Sequence, residues 1–177
     1  MAAAVPRRWR VGDRERDERG RPANARPRDR FGRPLPRGAT QELAAREEPD
    51  AVVDSVDEAL ARAVALFDAQ RFFEAHEFFE YVWKSDSVAP ADRDFWKGVT
   101  QVAVGCCHTQ RGNEQGALTL LERAERYLVP YPSPHHGIRT DALAGAARQV
   151  AAQVRARGPS PALTFPTFPL AAADPPS

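Results

Sequence analysis

Residues 72–83 read Phe72-Phe73-Glu74-Ala75-His76-Glu77-Phe78-Phe79-Glu80-Tyr81-Val82-Trp83, and the reading of this stretch decides the fold. At about 100° per residue, Phe72, Ala75, Phe78, Phe79, Val82 and Trp83 fall on one face, the pattern of a helix buried on one side. His76 and Glu80 border that face one turn apart, so their side chains are neighbours, with Glu77 just beyond them toward solvent.

Helical signals continue on both sides. Upstream, Ser55 followed three residues later by Glu58 is a capping-box signature, and Val56, Leu60, Ala63, Val64 and Phe67 then recur at helical spacing up to Ala69. Gln70-Arg71 is the turn into the aromatic helix, which ends near Lys84 before a polar gap closed by Pro90. A third helix, Ala91 to about Gln110, is apolar around most of its circumference and is expected to be the central one. Lys97, Gln101 and His108 form its one polar stripe, and Gly98 and Gly105 offer places for a neighbour to approach closely. Gly112 and Asn113 suit a stop and a new cap, and a fourth helix follows from Glu114 to about Leu128. Pro130, Pro132 and Pro134 forbid helix, and a fifth helix with the sparse stripe Leu143, Val150, Val154 spans roughly Asp141 to Arg157.

The ends differ in composition. Residues 1–40 hold twelve Arg against five acids, although the whole chain is nearly neutral at +1. Arg, Pro and Gly without period predict a flexible, disordered arm over residues 1–50, then a helical domain over 51–157 and a Pro-rich tail over 158–177. Acids interleaved with the Arg residues dilute any phosphate-binding stripe, so the arm is expected to be solvated or to dock through Trp9, Phe31 or Leu35, and nucleic acid is not expected as a partner. In the tail, Leu163, Phe165, Phe168 and Leu170 alternate loosely with Pro and Thr, which suits an extended segment lying on the helices. Neither a secretory leader nor a membrane span is legible, and a cytoplasmic location is expected. Cys106 and Cys107 are adjacent in a helical pattern that points their side chains apart, which argues for small core residues and against a disulfide or zinc site.

Residues 74–80 can be laid over residues 116–122 at an offset of 42 residues, matching Ala75 with Ala117 and Glu80 with Glu122. Each copy is the second helix of a hairpin, so the fold class expected is all-α: about five helices forming two stacked helical hairpins plus a C-terminal helix. The unit is similar to a tetratricopeptide repeat, though longer than that repeat's period of about 34 residues.

A more specific resemblance rests on Leu66-Phe67, on Phe72-Phe73-Glu74-Ala75-His76-Glu77, on Glu80, Trp83, Gly98, Gln101 and His108, and on Arg111-Gly112-Asn113 with Gly116-Ala117. Over about Val53 to Asp141, including His136-Gly137-Ile138, the chain resembles the domain-of-unknown-function 309 family of small all-helical bacterial proteins. Lys97 stands where that family would have Gln, and Cys106-Cys107 replaces bulkier apolar residues. The resemblance implies architecture and no activity.

Glu74, His76, Glu77, Glu80, Gln101 and His108 are the polar residues singled out for a site, and Phe67, Phe79, Trp83 and Trp96 are the expected core anchors. His76-Glu77-x-x-Glu80 lacks the last ligand of a zinc-protease helix, so no metal and no cofactor are expected. The alternative is a shell of His76, Glu80 and His108 between the second and third helices. The bland reading is a hydrogen-bonded network of His76, Glu80 and Gln101 that fixes hairpin register. His135-His136 reads as a surface pair in a loop. No complete catalytic set is present, which favours a non-enzymatic scaffold that binds a protein or peptide partner, self-association being compatible with the sequence. A small enzyme or ligand-binding protein built on the His/Glu seam is the rival.

Overall fold

A helix that buries one face must turn sharply to present that face to the next helix, and the same device makes both main turns here. The computed structural model describes residues 29, 31–33, 35 and 49–172. After a single turn α1 (Pro49–Val52), α2 (Val56–Asp68) pairs with α3 (Phe72–Lys84); a 3-10 turn at Pro90–Asp92 leads into α4 (Arg93–Gln110), which pairs with α5 (Glu114–Leu128), and α6 (Thr140–Arg157) packs on α5. Ser55 caps α2 as its spacing with Glu58 predicts, accepting from the Glu58 amide at 3.1 Å. Asn113 likewise caps α5 by accepting from the Gly116 amide at 3.0 Å.

At the end of α2, Gln70 sits at φ 57° while the amides of Gln70 and Arg71 donate to the carbonyls of Phe67 and Leu66, at 2.8 and 2.9 Å. At the end of α4, Gly112 at φ 76° does the same, the amides of Gly112 and Asn113 donating to Thr109 and His108 at 3.2 and 3.0 Å. Both are Schellman motifs, which satisfy the last helical carbonyls through one left-handed residue. They recur at the 42-residue offset seen in the sequence, so the two hairpins share their turn geometry.

α4 is the central helix, packed on α3, α5 and α6. Gly105 lets α5 approach so closely that a Cβ there would stand 2.7 Å from Leu121 Cγ. Phe67, Phe72, Phe78, Phe79 and Phe95 are fully buried and Trp96 nearly so. Trp83 is only half-buried, its ring flanked by the ammonium groups of Lys84 and Lys97 at 5.9 Å. Cys106 and Cys107 are buried free thiols, pushed up by desolvation, Cys107 to about 11. α6 buries a wider stripe than its large residues suggest, because Ala144, Ala147 and Ala151 lie against α5 with Leu143, Val150 and Val154.

The part of the N-terminal segment that is described docks on the helices. The Phe31 carbonyl accepts from the Arg111 guanidinium and from the Cys107 thiol, the latter at 3.4 Å. Gly32 is buried so tightly that a Cβ would overlap the Phe73 ring. Trp9 and the expected disorder of the arm lie outside the described residues. No helix among the described residues is long and apolar enough to cross a membrane.

Candidate functional site

Helix α3 carries four of the six polar residues singled out, and it aims them in different directions. Glu74 is buried and paired with the Arg71 guanidinium, with Nε donating to Oε1 at 3.0 Å. The His76 ring packs on Phe73, with centroids 5.0 Å apart. Glu77 and Glu80, with Tyr81, Lys84, Asp86 and Pro49, line a recess of about 440 Å³, in which Glu80 pairs with Lys84 at 3.2 Å. On α4, His108 contacts Asn113 (Nδ1 to Nδ2, 2.8 Å), and burial, with the nearby Arg111 charge, holds its pKa below the ordinary value. Two polar atoms of the seam, Trp83 Nε1 and Gln101 Oε1, are buried without a hydrogen-bond partner among the described residues.

His76, Glu80 and His108 are not the ligands that converge. Among the described residues the group of three donor atoms lying within 4.8 Å of one another is Asp92, His135 and His136. His135 Nε2 is 2.8 Å from Asp92 Oδ1 and His136 Nε2 is 3.0 Å from Oδ2. Those hydrogen bonds hold the Asp92 carboxyl below the usual carboxylate range. The two imidazoles therefore belong to a cluster with Asp92, and His135 is half-buried in it. Asp92 lies 43 residues upstream of His135, too far for any local spacing rule; the only sequence signal was the His-His-Gly step after three prolines.

A third feature is the course of the tail. Phe168 packs edge-on against Phe67 (5.3 Å) and stacked on Phe79 (5.2 Å), while Phe165 meets Phe72 at 5.0 Å. The backbone is held as well. The Gln153 side-chain amide donates to the Thr164 carbonyl at 2.8 Å and accepts from the Thr164 amide at 3.1 Å, as a neighbouring strand would. Arg157 orients that amide by donating to Gln153 Oε1 at 2.6 Å. Farther along, the Phe168 amide donates to Asp68 Oδ1 at 2.6 Å, and Pro169 and Ala171 exchange backbone bonds with Arg139 and Gly137, each at 2.8 Å.

Stacked helical hairpins, a polar α3–α4 seam and an extended segment strapped across the helices define a small all-helical domain. Residues 60–120 match the family described as Domain of unknown function (DUF309). Over 63 residues the chain is 40% identical to the uncharacterized protein YpuF of Bacillus subtilis (strain 168), a stretch covering 35% of this chain and 36% of that relative. The chain thus spans about a third of the length of the curated relative it matches. The family resemblance read from the Glu-Ala-His-Glu residues is shown by these matches. The family match includes α3, α4 and Asp92, whereas His135, His136 and the tail lie beyond it.

Proposed function

We propose that this protein is a non-enzymatic helical-hairpin scaffold whose groove across α2, α3 and α6 holds an extended, Phe-bearing segment of a partner protein. The observation that carries this reading is the docked tail: the body already seats the segment Phe165-Pro166-Thr167-Phe168 by two aromatic sockets and a side-chain amide that pairs with its backbone. Backbone pairing supplies affinity and the sockets supply selectivity, the division of labour of strand-type peptide recognition. Polyproline-like segments lose little chain entropy on docking, which favours a Pro-rich ligand.

Being tethered, the chain's own tail competes at an effective concentration on the order of millimolar. A labelled peptide of residues 161–171 should therefore bind weakly to the wild-type chain, and at least tenfold more tightly to a Phe168→Ala variant whose tail is loosened. Fluorescence anisotropy measures both, with circular dichroism checking that the variant keeps its helices. A helical Phe168→Ala protein that ignores the peptide would end the proposal.

A second reading, a small-molecule site between α3 and α4, draws on the buried unpaired Trp83 Nε1 and Gln101 Oε1. It requires a ligand that accepts from one and donates to the other, and Gln101→Leu would abolish that binding without touching the peptide affinity.

A further inference from the structure

We infer that Asp92, His135 and His136 form a binding site for a divalent transition-metal ion, zinc being the best match, at the junction between the start of α4 and the α5–α6 loop. The site is separate from the aromatic sockets of the peptide groove, although the turn that carries the histidines is bonded to the end of the tail through Gly137 and Arg139. Two imidazole nitrogens and a carboxylate oxygen are borderline donors of the kind that select zinc over magnesium or calcium.

Both Nε2 atoms are aimed at one carboxylate, at 2.8 and 3.0 Å, whereas a structural ion pair needs only one imidazole. Bond lengths of about 2.0–2.1 Å place neighbouring ligand atoms roughly 3.3 Å apart around a tetrahedral zinc, and the three donor atoms here lie within 4.8 Å of one another, so side-chain adjustment brings them to that spacing. With Asp92 and His135 about four-fifths covered and His136 41% exposed, one side of the cluster faces solvent and a water can take the remaining position.

The backbone presents the ligands in a way that costs the fold something. His136 and Gly137 both have positive φ, 48° and 70°, and the amides and carbonyls of His135 and Ile138 bond each other at 2.9 Å on either side of them. This is a two-residue hairpin turn of the type that prefers Asn, Asp or Gly at its first position. A histidine in the left-handed region is less favourable than glycine there, so the turn and the contacts around the ring must offset that cost.

The surroundings brace the same geometry. Tyr131 Oη donates to the Ala91 carbonyl at 2.7 Å, tying the loop to the residue before Asp92. The Asp92 carboxylate, at the position that caps α4, makes no capping bond and turns to the histidines instead. Phe95, Trp96 and Tyr131 pack edge-on or tilted around the two imidazoles at centroid distances of 4.7–5.7 Å, an apolar wall that orients the rings and strengthens the charge interactions of an ion held there.

The test is titration of cobalt(II) into metal-free, untagged full-length protein, followed by displacement with zinc. One cobalt per chain, with the intense visible absorption of a four-coordinate ion that zinc bleaches, is the expected result. His136→Gly is the diagnostic variant, because glycine suits the left-handed turn and keeps the fold while removing one ligand. It should bind cobalt at least tenfold more weakly and lose the rise in melting temperature that zinc gives the wild type. Asp92→Asn should weaken binding too, and His76→Gln should leave it unchanged. Absence of stoichiometric cobalt, its retention by both Asp92→Asn and His136→Gly, or its loss on His76→Gln would each overturn the assignment.

Discussion

Phe79→Ala and Trp83→Ala, one helical turn apart on α3, are expected to differ sharply in cost although one apolar stripe contains both. Phe79 has no solvent exposure and stacks on Phe168 at 5.2 Å and 25°. Truncating so buried a ring removes about 3–5 kcal/mol, a large share of the roughly 5–15 kcal/mol that stabilises a domain. Trp83 is half-buried, and its contacts with Lys84 and Lys97, at 5.9 Å, contribute at most about 1 kcal/mol each at a solvent-facing site. Its indole N–H is buried without an acceptor among the described residues, so truncation also removes a desolvation penalty of about 1–3 kcal/mol. The net cost of Trp83→Ala should therefore be about 1–2 kcal/mol. Urea denaturation followed by circular dichroism, with equal m-values in all variants, measures both. A double-mutant cycle of Phe79→Ala with Phe168→Ala should return a coupling of about 0.5–1.5 kcal/mol for the stacked pair. If Trp83→Ala costs as much as Phe79→Ala, the indole is a core anchor after all and the account of α3 burial is wrong.

Gln70→Gly should stabilise the protein by about 0.5–1 kcal/mol, because Gln70 holds φ 57° where its counterpart in the second hairpin is Gly112; a loss of stability in urea would show that the Gln70 side chain contributes more than its conformation costs. His108 has a folded pKa below its ordinary value of 6.5, so as pH falls the unfolded chain takes up the proton first, and stability is lost below about pH 6.5 toward the folded pKa. His108→Gln should lessen the drop in melting temperature between about pH 7.5 and 5.5, and an unchanged drop would place its cause elsewhere.

Residue periodicity determined most of the architecture. The face Phe72-Ala75-Phe78-Phe79-Val82, the Ser55 cap and the Gly112-Asn113 stop are local rules, satisfied within one or two turns of helix, and the elements follow them closely. The repeat offset was legible for the same reason, since each hairpin closes through a local turn. The extended tail was also foreseen, but its sockets were not, because Phe67, Phe79 and Gln153 are brought together by packing. The polar seam shows the limit most clearly. Spacing put His76 and Glu80 on adjacent turns of one helix, yet Glu80 pairs with Lys84, its neighbour one turn further on, beside an open recess. The convergence of Asp92 with His135 and His136 was settled by the packing of α5 on α4 and by a left-handed turn. Patterns with a period of a few residues report one element at a time, whereas a site made of groups 43 residues apart exists only once those elements are docked.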